Sequence, residues 1–439
     1  MAERARLRFE SDRPRGQAVG NAAGSLLKMS PAPSLECQFA GLRCPNPFWL
    51  ASSPVTNSAE MLCRAFEEGW GGAVYKSLGI EEKPGHPIVN VTPRLASLSA
   101  GRNRLMGMEN IELITDRPLE ENLRDIGQIK REFPNRPLFV SIMALHRRAD
   151  WQALAMMSEE AGADGLELNF SCPHGSMEGH RAGASIGQHP DISREVTAWV
   201  RDVSPLPLMV KLPAETLDIR ELARAVAAGG ANAVSAINTI PCIIGVDIEA
   251  LVPLPTVQGR STPGGYSGPA IKPVALKKVA DLASDESVNL AVSGVGGISN
   301  WRDAVEFFLL GASTVQICTG VMHYGYRLVN QLRDGVAAWM QRHGYAVIED
   351  FRGLALRPLG APTQLDRTWQ TIAVINPDLC IGDGLCYVAC QDGGHQAIRI
   401  NERRIAEVDE QRCKGCGLCG QVCPVAGCIE MKPTQGGCV

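Results

Sequence analysis

Four stretches of this chain follow one plan: EEGWGGAVYKS at 67–77, EEAGADGLELNFS at 159–171, AAGGANAVSAINT at 227–239 and LLGASTVQICTG at 309–320. Each reads as the end of a helix, a glycine turn, and a buried parallel strand that finishes on a polar residue. Apolar runs at Phe48 to Ser52, Leu138 to Met143, Leu208 to Leu212 and Leu290 to Ser293 supply the remaining strands. Eight βα units in succession predict an α/β chain folded as a TIM (β/α)8 barrel. In that fold the carboxyl ends of the strands build the active site, so the residues at the strand tips carry the chemistry.

The barrel pattern fades after Trp339, and Gly353 to Trp369 is punctuated by proline and glycine with little periodicity. The expected division is a disordered extension at 1–33, a barrel at 34–352, a linker at 353–370 and a small ferredoxin-like α+β domain at 371–439. The last part is cysteine-dense and too short for a large apolar core, so metal has to help hold it together. Residues 1–33 mix arginines with acids and lack the apolar core of a signal peptide; a translation start at Met29 is an alternative account of them.

A net charge of −4 leaves no basic footprint, so binding to nucleic acid or anionic lipid is not expected, and no stretch is long and apolar enough to span a bilayer. Seven of the 15 cysteines fall between Cys380 and Cys423 at ferredoxin-like spacing, which points to metal, a reducing compartment and a cytoplasmic protein.

Cys413, Cys416, Cys419 and Cys423, followed by Pro424, form a complete C-x2-C-x2-C-x3-C-P run. In such runs three closely spaced thiolates cap one cluster and the fourth reaches its neighbour. On that rule Cys413, Cys416, Cys419 and Cys390 hold one [4Fe-4S] cluster, and Cys380, Cys386 and Cys423 hold a second, with Asp383 facing its fourth iron. A carboxylate is a harder ligand than a thiolate, so this corner is either weakly held by Asp383 or vacant, the latter leaving a [3Fe-4S] centre. Structural zinc is the competing account of these cysteines, although paired knuckles do not need a seventh thiolate. Gly415-Cys-Gly-Leu-Cys-Gly420 satisfies G-x-G-x-x-G only by accident: its glycines interleave with cluster ligands outside any βαβ unit. With no other nicotinamide fingerprint, electrons from NADH have to arrive through another polypeptide.

Ser293-Gly-Val-Gly-Gly-Ile298 and Ile317-Cys-Thr-Gly320 close the seventh and eighth units, where barrels often bind phosphate on bare backbone N–H groups; FMN is a natural occupant, tight turns the plainer alternative. Asn169-Phe-Ser-Cys-Pro-His174 at the fourth strand tip is the most specific motif of the barrel. Here the chain resembles the dihydroorotate/dihydropyrimidine dehydrogenase family, whose flavin barrels carry N-x-S-C-P. The resemblance runs from about residue 35 to 431 and includes Asn46-Pro-Phe48, Gly107-Met-Glu-Asn-Ile-Glu112, Ala236-Ile-Asn-Thr239, Tyr266-Ser-Gly268 and Asp392-Gly-Gly-His-Gln-Ala397.

The resemblance implies that Cys172 is the general acid protonating C5 of uracil or thymine while FMN delivers hydride to C6, and a thiol suits that exchange near neutral pH. It implies that Asn110, Asn169, Ser171, Asn238 and Thr239 bind the pyrimidine, although a lone asparagine also serves as a loop cap. Lys76 and Lys211 end the second and fifth strands, where a buried cation needs a partner; the resemblance implies flavin, and exposure is the alternative for Lys76. Ala51, Ser52, Gly268, Gly296, Gly297, Cys318 and Thr319 complete the implied FMN site. Gly175 to Gly187, rich in small residues, is expected to form a mobile lid.

Asp383 and the N-terminal extension depart from the family pattern, and Cys37, Cys44, Cys63, Cys242, Cys428 and Cys438 carry no spacing signal. The implied function is reduction of uracil or thymine to the 5,6-dihydropyrimidine. NADH is oxidised on a partner subunit carrying FAD and iron-sulfur clusters, in a heterotetramer. A dihydroorotate dehydrogenase and a non-catalytic electron carrier are the rivals.

Overall fold

The structure, a computed structural model, describes residues 32–81, 89–101, 104–172, 176–177 and 180–434. His174, Cys438 and the extension up to residue 31 lie outside the described residues. Contacts divide the chain into two compact units, one ending at Arg357 and the other beginning at Pro358.

The first unit is the expected barrel. Its strands are β1 Phe48–Leu50, β2 Gly72–Leu78, β3 Leu138–Ile142, β4 Gly165–Asn169, β5 Leu208–Lys211, β6 Ala233–Ala236, β7 Ala291–Val295 and β8 Thr314–Ile317. They pair in parallel and close, with Val315 of β8 beside Phe48 of β1. Helices α1 Ala59–Glu68, α2 Leu119–Glu132, α3 Arg148–Glu160, α4 Pro190–Arg201, α5 Ile219–Ala228, α6 Lys272–Ala283, α7 Trp301–Leu309 and α8 Leu328–His343 follow the strands in turn. The two-residue period of a strand sorts β4: Leu166 and Leu168 join the core shared with the helices, while Glu167 faces inward to accept a 3.0 Å hydrogen bond from Ser235 of β6.

The inside of the barrel is stratified. At the amino ends of the strands a hairpin, Cys37–Phe39 paired with Leu42–Cys44, sets Phe39 against Trp49 and Phe139 with ring centroids 5.4 and 6.2 Å apart. Val74 and Met209 complete this apolar plug. Above it lies a polar layer of Ser141, Glu167, Ser235, Ser293 and Gln316, all buried. The plug closes one end against water, so ligand entry is confined to the carboxyl ends.

Two connections, β2 to α2 and β6 to α6, carry strands of their own. Ile240–Cys242, Gly264–Ser267, Leu105–Asn110 and Leu95–Ser99 form a four-stranded antiparallel sheet in that order. Gly107 is glycine for steric reasons, because a Cβ there would lie 2.3 Å from the Tyr266 ring. The sheet brings the 107–112 and 236–239 motifs to one mouth.

The second unit pairs Thr371–Ile375 with Ile429–Pro433 and Ile398–Ile400 with Ala406–Val408. Its helices, Leu385–Gly393 and Leu418–Val422, each start after a left-handed glycine, Gly384 at φ +79° and Gly417 at φ +77°. Its core is Ala373, Ala397, Ile398 and Ala406 with cysteine thiols among them, too little apolar surface to hold a domain by burial alone. Among the described residues no helix is long and apolar enough to cross a membrane.

Candidate functional site

A cleft with about 1280 Å³ of empty space, part of it open to solvent, lies at the carboxyl ends of the barrel strands. Its wall includes Ala51, Ser52, Lys76, Asn110, Asn169, Cys172, Lys211, Asn238, Thr239, Gly268, Gly296, Gly297, Cys318 and Thr319. Each of these was expected from the sequence to bear on cofactor, substrate or catalysis. Ser171, also expected there, is buried beside the wall.

A hydrogen-bonded chain holds the strand tips in place. Ser52 and Ser77 share a 3.3 Å bond, Asn169 Nδ2 donates to Ser77 Oγ at 3.1 Å, and Asn169 Oδ1 accepts from the Ser171 amide and hydroxyl at 3.2 and 3.1 Å. Asn238 Nδ2 then donates to the Ser171 carbonyl at 2.6 Å. Asn169 therefore spends its amide inside the protein. Asn110 spends only Oδ1, on the Glu112 N–H at 2.7 Å. What remains is the amide donor of Asn110 and the carbonyl acceptor of Asn238, one of each polarity, which is what the alternating C=O and N–H edge of a pyrimidine requires.

Cys172 is buried, packs against Ile114 and Met143, and has its carbonyl held by the Ala184 N–H at 3.0 Å. The expected lid is only partly of that character. Ser176–Met177 and His180–Arg181 pair as a hairpin, but Ala182, Ala184, Ile186 and Gly187 are buried, and a Cβ on Gly187 would lie 2.0 Å from the Phe170 carbonyl oxygen. Residues 182–187 are thus packed against the barrel. Residues 173–175 and 178–179 lie outside the described residues.

Two buried lysines meet different surroundings. Lys76 Nζ is 2.6 Å from Glu112 Oε1 with both side chains almost wholly buried, and Arg94 stands 3.5 Å from the other carboxylate oxygen. The partner that Lys76 needs is supplied by the protein. Lys211, only 6% exposed, has no hydrogen bond or ion pair among the described residues; Glu167 below it is the nearest carboxylate felt through space. Burial holds the Glu167 carboxyl above its ordinary range, against the pull of Lys211 and the hydrogen bonds from Ser235 and Ser141. An unpartnered buried cation facing a cavity is a site for an electron-rich or anionic group.

On the other side of the mouth, Gly297 adopts φ +76°, and a Cβ would lie 2.7 Å from Lys272 Cβ and 2.9 Å from its backbone nitrogen. The turn is fixed from behind by Asp303, which accepts from the amides of Ser299 and Asn300 at 2.9 and 3.1 Å while Lys272 Nζ binds its other oxygen at 2.7 Å. The N–H groups of Gly297, Thr319 and Gly320 have no acceptor among the described residues. Bare amides beside a glycine turn, opposite a free buried lysine, fit the phosphate and ring of FMN. Thr319 Oγ1 donates to Ser267 Oγ at 2.9 Å, tying this edge to the overlying sheet.

In the second unit, Cys390, Cys413, Cys416 and Cys419 line one cavity of about 340 Å³, and Ala397 N–H points at Cys390 Sγ from 3.3 Å. That is the quartet expected from the spacing, brought to one depression of the surface. Cys380, Cys386 and Cys423 are neighbours of one another through Cys428, a thiol the sequence reading set aside. Asp383 is exposed and accepts the Leu385 N–H at 3.0 Å, an Asx contact at the start of its helix. Among the described residues no three His, Cys, Asp or Glu groups close on a single-ion site. Sequence reasoning assigned no role to Glu112, Ser77, Ser267 and Glu167, which touch or support the site, although each lay in a quoted segment: Ser77 and Glu167 in the strand repeats, Glu112 and Ser267 in the family motifs.

Comparison with known proteins agrees with this geometry. The dihydroorotate dehydrogenase family model matches residues 34–340, and a 4Fe-4S dicluster domain model matches residues 373–431. The subunit PreA of the NAD-dependent dihydropyrimidine dehydrogenase of Escherichia coli (strain K12) is 40% identical over 400 residues, covering 90% of this chain and 95% of that protein. The chloroplastic dihydropyrimidine dehydrogenase (NADP(+)) of Arabidopsis thaliana is 40% identical over 77% of this chain and 82% of its own length. The catalytic subunit of dihydroorotate dehydrogenase B (NAD(+)) of Pyrococcus abyssi is 38% identical over 74% of this chain and 99% of its own length.

Proposed function

This chain belongs to the dihydroorotate dehydrogenase family, and on that premise we propose that it is the catalytic subunit of a dihydropyrimidine dehydrogenase, an oxidoreductase that reduces the C5=C6 bond of uracil or thymine. The observation that carries this reading is the meeting, on one cavity wall, of Cys172, the unspent donor of Asn110, the unspent acceptor of Asn238 and the unpartnered Lys211. Bound at this mouth, FMN would supply the hydride for C6 of the pyrimidine.

The chain's own residues do the rest. Asn110 and Asn238 hold the ring edge by complementary hydrogen bonds, with Thr239 beside them. The buried wall and the apolar plug below exclude water, which strengthens each of those contacts. Cys172 Sγ gives its proton to C5 as C6 accepts the hydride, so two electrons and two protons are added across the double bond and the thiolate is reprotonated before the next turnover. Lys211 favours negative charge that builds on the flavin. The bare amides at Gly297, Thr319 and Gly320 hold the phosphate.

Electrons come from NADH by way of a partner flavoprotein in a heterotetramer and pass across two iron-sulfur clusters. Cys390, Cys413, Cys416 and Cys419 hold one cluster; Cys380, Cys386 and Cys423 hold the other. The only G-x-G-x-x-G run, 415–420, opens a five-residue helix among cluster ligands, which supports an external site for NADH. Steady-state reduction of uracil and of orotate by the anaerobic protein, with a reduced viologen as donor, tests the assignment. The expected result is turnover of uracil and thymine that Cys172→Ala lowers by about 10²–10⁴ with flavin and iron content unchanged. Turnover of orotate in place of uracil would identify a dihydroorotate dehydrogenase, and an unaffected Cys172→Ala would rule out the thiol as the acid.

A further inference from the structure

Two glycines in succession, Gly264 and Gly265, open the second strand of the sheet over the cavity mouth, Gly264–Ser267. Different side chains use the space each leaves. A Cβ on Gly265 would lie 2.1 Å from Thr239 Oγ1, so this glycine makes room for a residue of the cavity wall. A Cβ on Gly264 would lie 2.7 Å from Glu109 Cγ and 2.8 Å from Glu109 Oε1. The bare Cα of Gly264 is therefore a passage across the middle of the sheet, and the Glu109 side chain occupies it.

Glu109 belongs to the third strand, Leu105–Asn110, one residue before Asn110. It is fully buried, and its Oε2 accepts the Ile244 N–H at 2.8 Å. Ile244 follows the edge strand Ile240–Cys242, which begins directly after Asn238 and Thr239. The bond thus joins the first strand of the sheet to the third, over the second. The edge strand pairs through Ile240, Pro241 and Cys242 alone, and Pro241 has no N–H to give. So short a pairing at a sheet edge opens readily, and the Glu109 bond ties down its far end.

Folding stability does not account for this arrangement. Glu109 Oε1 has no hydrogen-bond partner, and Glu109 enters no ion pair among the described residues. A buried carboxyl group with a single donor costs more to dry than an apolar side chain of similar volume. What it delivers is position. The donor of Asn110 and the acceptor of Asn238 have to meet one planar ring edge together, and they stand on the two segments that this bond joins.

Resting on the reading that Asn110, Asn238 and Thr239 hold the pyrimidine, we propose that Glu109 is a positioning residue, a strap that sets the Asn238–Thr239 side of the site at a fixed distance from the Asn110 side. With the strap released, the edge strand loosens and the ring is held firmly from one side only.

The test compares the anaerobic full-length holoprotein with Glu109→Gln, Glu109→Leu and Ile244→Pro. Glutamine keeps an acceptor on the same stem, leucine fills the volume without one, and proline removes the donor from the other side should leucine disturb the fold. For leucine and proline, hydrogen exchange in peptides covering 238–246 should quicken by about tenfold. The KM for uracil should rise by about tenfold with kcat changed by less than about twofold, FMN and iron contents staying as in wild type. Glu109→Gln should follow wild type in both readouts. Unchanged exchange, faster exchange with an unchanged KM, or a fall in kcat accompanied by loss of FMN would each overturn the proposal, the last by showing a general structural role. Wild-type protein that does not reduce uracil would instead overturn the reading on which the proposal rests, while the exchange comparison would still decide whether Glu109 holds the edge strand.

Discussion

Replacing Glu112 by glutamine tests whether Lys76 is satisfied by the protein or by the cofactor. The pair is 2.6 Å apart with side chains 6% and 3% exposed, and at an effective dielectric of about 20 such a separation corresponds to an attraction on the order of 6 kcal/mol. Part of that attraction is offset by the cost of drying both charges, and removing one member of a buried pair typically costs about 3–5 kcal/mol because the other charge is stranded. Arg94 is not stranded with it, since it also reaches Asp116 at 3.3 Å. Lys76 has no second carboxylate among the described residues. The expected loss for Glu112→Gln is therefore about 3–5 kcal/mol, a fall in Tm of about 4–7 °C for a unit of this size. It is measured by urea and thermal unfolding of the FMN-free protein. Lys76→Met combined with Glu112→Leu should recover most of it, because an apolar pair of similar volume carries no desolvation cost. A loss below about 1 kcal/mol in FMN-free protein would refute the reasoning. A loss that vanishes when FMN saturates the site would return Lys76 to the flavin.

Three further outcomes follow from the same geometry. Gly297→Ala, forced into φ +76° with its Cβ 2.7 Å from Lys272, should lose about 1–3 kcal/mol and release FMN more readily on dialysis; unchanged retention would remove the turn from the phosphate site. Asp383→Cys should raise the iron content per chain and abolish an oxidised three-iron EPR signal, since the aspartate is exposed and engaged with the Leu385 N–H; no change in either would show that Asp383 already ligates. Glu167 has its carboxyl raised above an ordinary value of 4.5, chiefly by burial. The folded protein then binds this proton more tightly than the unfolded chain, and the stability it contributes is present below 4.5 and lost as pH rises through the folded value. Glu167→Gln should accordingly gain stability over wild type at pH 7 and not at pH 4, read by urea unfolding at both; a less stable variant at neutral pH would show that Lys211 depends on the ionised carboxylate.

The barrel and the candidate cluster ligands were legible in sequence because both obey a local period. A glycine turn, an apolar run and a polar tip recur with each βα unit, and C-x2-C-x2-C-x3-C sets the ligand spacing along the chain, so Asn169, Lys211, Cys318 and the Cys390, Cys413, Cys416, Cys419 quartet could be located by counting. What counting could not supply is anything decided between segments far apart in sequence. The partner of Lys76 is 36 residues away, just beyond the end of the strand Leu105–Asn110, in a sheet that no alternation announced and whose strands pair only through contact with one another. The packing of residues 182–187 is likewise a tertiary fact. Small residues read as flexible until a core closes over them. Local periodicity sets which elements form and which way their side chains point. Only the closing of the barrel and of the small domain determines which charges and thiols meet, because burial turns proximity into energy.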